Sequence, residues 1–198
     1  MGAMRIVLSL LALAAAAPAA LAQDFRTGFW AGADIGVSAI KRDFDVTNDR
    51  NDTKGTVAVR GGYAFTPRLL LGLEASGWTF EREDKKDDAR GQGISTLYLY
   101  GQAYPMESSA FFVKAGVGPV RFWTNHNGET GDTGAGAMVG IGHDFHFTNL
   151  GASERGKFYL TPSADVSWGH FGPALSPPGV YQNQSYRAIS LRLGITYR

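Results

Sequence analysis

Between Gly28 and Arg198 apolar side chains alternate with small, polar or charged ones in runs of about ten residues, each closed by a turn or loop signal. The runs occupy residues 28–40, 55–65, 69–81, 93–104, 110–122, 135–147, 157–170 and 185–198. Alternation with a period of two predicts strands, because successive side chains of a strand point to opposite faces. One parity carries Ala31, Ala33, Ile35 and Val37; Val57, Val59 and Tyr63; Leu69, Leu71 and Leu73; Leu97 and Leu99; Val113, Ala115 and Val117; Val139 and Ile141; Leu160, Ala164 and Val166; and Ile189, Leu191, Leu193 and Ile195. None of these is charged. The other parity carries Asp34, Arg60, Glu74, Tyr98, Tyr100, Gln102, Lys114, Asp144, Asp165 and Arg192 among many glycines and serines. An uncharged outside and a charged inside suit a closed barrel in lipid, where every backbone group must be paired and no sheet edge is left open. The predicted fold is therefore all-β: an eight-stranded antiparallel up-and-down transmembrane β-barrel. A soluble barrel of the same strand number would turn its apolar face inward around a ligand.

The connections support this reading. They are short after the even strands (Thr66-Pro67-Arg68, residues 105–109, residues 148–156) and longer and more polar after the odd ones. Transmembrane barrels place short turns in the periplasm and long loops outside, so both ends of the barrel sequence belong on the periplasmic side. Phe29, Tyr63, Phe65, Phe111, Phe145, Phe147, Phe158 and Tyr197 would form an aromatic girdle at that side, with Trp123 and Trp168 at the other.

Composition narrows the picture further. Arg5, the apolar residues 6–17 and the small-x-small Ala20-Leu21-Ala22 read as an export signal spanning 1–22, with a single barrel domain over 23–198. The apolar stretch is too short for a membrane-spanning helix, and no later segment approaches the roughly 20 apolar residues such a helix needs. Arg5 is one of 19 basic residues, so the mature chain carries 18 against 18 acids. That balance excludes nucleic acid as an expected partner. With no cysteine, neither a disulfide framework nor a thiol nucleophile exists.

An eight-stranded barrel is only wide enough for side chains to fill, so the inward charges should pack against one another. Arg60 and Glu74 lie seven residues either side of Pro67, which sets them opposite each other across one hairpin. Counting around a loop centred at 47–48 places Asp34 beside Arg60, and Asp165 and Arg192 fall on neighbouring strands. With Lys114 and Asp144 these residues make a lumen charge network of four acids and three bases. Two readings stay open: an ionic plug, or a gate whose pairs exchange to open a narrow path.

Gly28-Phe29-Trp30-Ala31-Gly32-Ala33-Asp34-Ile35-Gly36, Phe112-Val113-Lys114-Ala115-Gly116-Val117-Gly118 and Leu191-Arg192-Leu193-Gly194-Ile195-Thr196-Tyr197 resemble the small eight-stranded outer-membrane barrels of OmpA-like, OmpX-like and opacity-type surface proteins. The resemblance implies a Gram-negative outer membrane, contact with membrane lipid and lipopolysaccharide, and insertion by the barrel-assembly machinery. It implies a non-enzymatic structural or surface-interaction role, in envelope integrity or adhesion. The alternative is a narrow gated channel or transporter for small solutes; a lipid A-modifying enzyme is a third reading. Relatives usually finish on an aromatic residue, whereas here Tyr197 is followed by Arg198. A lipid A deacylase of the known type carries a His and a Ser two positions apart, but the comparable site is His170-Phe171-Gly172, with glycine in the place of the nucleophile. Ser167 and Asp165 share a strand face from which His170 points away. No catalytic residue is expected.

No metal or cofactor is expected either. His143 and His146 are three apart in a strand and face opposite sides, and His126 stands alone in the third loop. Asp43, Asp45, Asn48 and Asp49 lack the glycine and terminal glutamate of an EF-hand loop. The mixed-charge run Arg82-Glu83-Asp84-Lys85-Lys86-Asp87-Asp88-Ala89-Arg90 reads as a hydrated surface able to meet lipopolysaccharide. The fourth loop, with Gly172-Pro173, Pro177-Pro178-Gly179 and Tyr181, offers a place for an extracellular partner.

Overall fold

The alternating runs fold as strands in the computed structural model, which describes residues 27–44, 47–82, 90–106, 109–125, 129–147, 157–171 and 184–198. The export signal, Asp45, His126, the charge run between Arg82 and Arg90, and the glycines, prolines and Tyr181 of the fourth loop lie outside the described residues. In chain order the strands are β1 (Gly28–Phe44), β2 (Thr47–Thr66), β3 (Leu69–Arg82), β4 (Arg90–Ala103), β5 (Phe111–Asn125), β6 (Glu129–His143), β7 (Phe145–Phe147), β8 (Phe158–Phe171) and β9 (Gln184–Tyr197). Each pairs antiparallel with its neighbours, β1 with β9 and β6 with β8, which closes the sheet on itself. β6 and β7 continue one another, so the wall is an eight-stranded barrel crossing the membrane with strands. Among the described residues no helix is long and apolar enough to cross one.

The parity predicted from sequence is the parity observed. Ile35, Val57, Leu73, Leu99, Val117 and Ile195 are exposed on the outside, and Asp34, Arg60, Glu74, Lys114, Asp144, Asp165 and Arg192 are buried in the lumen. Outward aromatics gather at the short-connection end in edge-to-face contacts, Phe29 with Tyr63 and Tyr63 with Phe65, each at 5.3 Å between ring centroids. Phe158 and Tyr197 add a pair at 5.1 Å.

Three expectations are corrected. First, the loop expected between residues 40 and 55 is strand: β1 and β2 pair up to Phe44↔Thr47, with only residues 45 and 46 between them. Asp43, Asn48 and Asp49 thus belong to two antiparallel strands. The third loop shrinks likewise, since β5 and β6 pair up to Asn125↔Glu129. Polar residues above the apolar band need no lipid-facing parity, so their weak alternation conceals strands that continue into water. Second, the sixth run is interrupted at Asp144. The register on either side, Gly142↔Ser163 and Phe145↔Leu160, puts Pro162 opposite His143, where proline has no N–H to donate to the ladder. On the other side the Asp144 amide donates to the Ala110 carbonyl at 3.1 Å, so the ladder with β5 runs on while that with β8 is broken. Third, the lumen is not uniformly polar. Ile40, Trp78, Ile94, Val120, Met138, Phe171 and Tyr186 fill it toward the long-connection end, and Trp30, Leu70 and Phe112 lie toward the other.

Candidate functional site

The lumen charges occupy the middle of the barrel and its short-connection end. In the middle layer β3 supplies Glu74, β5 supplies Lys114, β8 supplies Asp165 and β9 supplies Arg192. Glu74 Oε1 accepts from Arg192 Nη1 at 2.6 Å and Glu74 Oε2 accepts from Lys114 Nζ at 3.0 Å. The Arg192 guanidinium turns its other edge to Asp165, donating from Nε to Oδ2 at 2.9 Å and from Nη2 to Oδ1. This two-pronged Arg–carboxylate geometry is the strongest form of an ion pair, and the low-dielectric lumen strengthens it. Gly140 on β6 makes room, since a Cβ there would stand 2.8 Å from Asp165 Cβ and 3.0 Å from Lys114 Cε.

Asp34 and Arg60 sit beside this layer. Their ion pair is 3.0 Å between Oδ1 and Nη2, and the same Nη2 donates to Thr196 Oγ1 at 2.9 Å. The pair is diagonal rather than directly opposite, because Asp34 faces Ala58 and Arg60 faces Gly32. Arg60 and Glu74 do stand opposite each other in the β2–β3 register, yet the Glu74 oxygens accept from Lys114 and Arg192. Hairpin counting placed the residues correctly and mispaired one carboxylate, since an arginine or lysine reaches across a narrow lumen as easily as to its ladder neighbour. Both Asp34 oxygens, Arg60 Nε, the Tyr100 hydroxyl and the Trp30 indole nitrogen are buried without a hydrogen-bond partner, which makes this the loosest part of the network.

The layer at the short-connection end centres on Asp144. Its Oδ2 accepts from the Tyr104 hydroxyl at 2.5 Å and from Arg198 Nη2 at 2.7 Å, and its Oδ1 accepts from Thr161 Oγ1 at 2.7 Å. Tyr104 in turn accepts from Gln102 Nε2 at 2.6 Å and from Arg198. The Arg198 guanidinium also lies over the Tyr104 and Tyr159 rings at 5.1 and 5.3 Å. Thr161 and Thr196 hydroxyls, 3.0 Å apart, link this layer to Arg60. Sequence reasoning missed Arg198 and Tyr104. Both share the inward parity of Arg192 and Gln102, so the alternation carried the signal. With Arg198 the network holds four acids and four bases, all engaged in ion pairs.

Above the charges the lumen is aromatic. Trp78 and Phe171 each pack on Tyr186 with centroids 5.8 Å apart, and Phe122 meets Phe171 at 6.1 Å. Polar groups in this layer bond to one another: Trp78 Nε1 donates to Ser38 Oγ at 2.7 Å, Ser38 and Ser190 are 2.8 Å apart, and the Tyr98 and Tyr186 hydroxyls 2.6 Å, while Ser167 Oγ is buried without a partner.

Elsewhere, Asp165 and Ser167 are buried inside the barrel while His170 is exposed outside beside Trp168, so the three do not meet. Among the described residues no group of three or more His, Cys, Asp or Glu is placed to hold a metal ion.

No curated protein matches this sequence. Among solved structures the chain is similar to Neisserial surface protein A, at 12% identity over 85% of this chain and 96% of that one, with a TM-score of 0.50. It is similar to Ail, the attachment invasion locus protein of Yersinia pestis, at 9% identity over 86% and 99%, TM-score 0.52. AlkL, solved by solid-state NMR in DMPC lipid bilayers, matches at 14% identity over 90% and 93%, TM-score 0.51. At such identities the likeness is one of fold. The family model described as "Outer membrane protein beta-barrel domain" matches residues 7–198, nearly the whole chain. A closed antiparallel barrel with an apolar outer band fits that description, and the chain belongs to the outer membrane protein β-barrel domain family of the Gram-negative outer membrane.

Proposed function

We propose that this barrel is a non-enzymatic outer-membrane protein whose lumen is a permanent plug and whose role is structural and at the cell surface. One observation carries the reading: a charge-balanced ionic network lies beneath a layer of packed aromatic and aliphatic side chains. A solute would have to break buried ion pairs, at several kcal/mol each, and also part the apolar layer. Neisserial surface protein A and the attachment invasion locus protein share the fold, and their names support a surface role. The partners in this reading are outer-membrane lipid around the apolar band, lipopolysaccharide at headgroup level, the barrel-assembly machinery during insertion, and an extracellular partner at the long-connection end. Planar-bilayer recording tests it. The wild-type protein should give no discrete channels; reproducible openings whose conductance changes on Glu74→Ala would establish the gated channel instead.

A further inference from the structure

Asp34 stands apart from the other lumen acids of the network. Glu74, Asp144 and Asp165 each accept hydrogen bonds through both carboxylate oxygens. Asp34 accepts none: the Arg60 guanidinium comes within 3.0 Å of Oδ1 without making a hydrogen bond to it. Arg60 Nε, the Tyr100 hydroxyl and Trp30 Nε1 are unpartnered as well. Asp34, Arg60, Tyr100 and Trp30 are only 2%, 5%, 1% and 4% exposed, so bulk solvent does not serve these groups.

The strands bring the four residues to one corner of the lumen. Trp30, Gly32 and Asp34 follow one another on the inner face of β1, and Arg60 on β2 stands opposite Gly32. In the next inward row Trp30 pairs with Gly62, Gly62 with Gly72 and Gly72 with Tyr100, so two glycines lie between the two aromatic residues. The rings lean over them and meet edge to face at 6.0 Å. Trp30 Cζ2, on the indole edge that carries the nitrogen, lies 2.7 Å from where a Cβ on Gly72 would stand. Arg60 Nε lies 3.1 Å from where one on Gly32 would stand. The volume that side chains on these glycines would fill is thus bordered by the indole and the guanidinium.

Hydrogen-bonding chemistry identifies the ligand. Arg60 Nε and Trp30 Nε1 donate only, the Asp34 oxygens accept only, and the Tyr100 hydroxyl does both. An anion would take the donors but be repelled by Asp34, and a cation would take Asp34 but leave the two N–H groups unmet. A small neutral molecule that both donates and accepts serves all of them. We propose that this corner of the lumen is a binding site for water, a sealed cluster of about two molecules, since a buried water makes about three hydrogen bonds. The other three lumen acids bond directly to their cations, whereas Asp34 and Arg60 are joined through this water. The proposal rests on the plug, because only a closed lumen holds water there for long.

Magnetisation transfer from water to the full-length deuterated barrel in lipid nanodiscs tests it, read at the indole N–H groups. Trp78 is the internal control: it is as buried as Trp30, at 3%, and its indole already donates to Ser38. Trp30 should show a dipolar cross-peak of the sign that marks long-lived water, several-fold stronger than that of Trp78. Tyr100→Phe should keep this cross-peak, because Asp34 and Arg60 still hold the water. Asp34→Leu should reduce it several-fold. A missing Trp30 cross-peak, one no stronger than that of Trp78, or its loss in Tyr100→Phe, which would trace the signal to hydroxyl exchange, would overturn the proposal. Planar-bilayer recording of the same sample then shows whether the plug has failed too: a conducting barrel exchanges its water too fast to be seen, whereas a closed barrel without the cross-peak is dry at this corner.

Discussion

Glu74 is the residue on which the lumen turns, because two cations, Lys114 and Arg192, share its one carboxylate. Glu74→Ala would leave both without it in a buried site and should cost about 3–5 kcal/mol of unfolding free energy, read by denaturant titration of tryptophan fluorescence in vesicles. Asp34→Asn should cost less, about 1–3 kcal/mol, since both Asp34 oxygens lack hydrogen-bond donors and Arg60 keeps Thr196. Arg198→Ala should also cost about 1–3 kcal/mol and lower the temperature at which the folded barrel loses its fast migration on gels, because Asp144 retains Tyr104 and Thr161. Equal losses for Glu74→Ala and Asp34→Asn would show that burial, and not the shared carboxylate, governs the network. All seven predicted lumen charges are where parity put them. The chosen partner of Glu74 was not legible, because several cations lie within reach and only the packing of neighbouring side chains selects among them.

At the scale of the element, the wall is tight in some places and open in others, and glycines report which. A Cβ on Gly118 would stand 2.0 Å from the Leu97 carbonyl oxygen of the neighbouring strand, whereas one on Gly55 would meet nothing within 4 Å. Gly118→Ala should therefore push β5 from β4 and reduce the refolded fraction several-fold. Gly55→Ala should be neutral or stabilising by about 0.4–1 kcal/mol, through the lost freedom of the unfolded chain. Refolding yield into vesicles compares them, and an intact Gly118→Ala would contradict the close approach. Strand ends were the least legible feature. Asp43, Asn48 and Asp49 have the composition of a loop, yet β1 and β2 carry pairing beyond the apolar band, because a ladder once started adds backbone hydrogen bonds whatever the side chains. The break at Asp144 was hidden for another reason: Pro162 acts on it from a different strand.

Across the whole molecule, the aromatic layer and the charged layers act in series. Removing the charge on Glu74 alone should leave the barrel non-conducting, because Trp78, Phe171 and Tyr186 still exclude water above it. Trp78→Ala with Phe171→Ala should likewise stay closed, whereas the triple variant with Glu74→Ala should pass ions in planar bilayers. Conductance from the aromatic double variant would show that the ionic layer is no barrier by itself. The sequence determined the barrel, its strand number and its inside and outside, because two immiscible surroundings impose a period of two with the charges kept to one parity and away from the apolar one. It also determined which charges enter the lumen. Only the tertiary structure decided which carboxylate meets which cation, that Arg198 closes the charge balance, and that the lumen is layered. Those depend on heights, reaches and registers across strands distant in the chain, and local alternation carries no record of them.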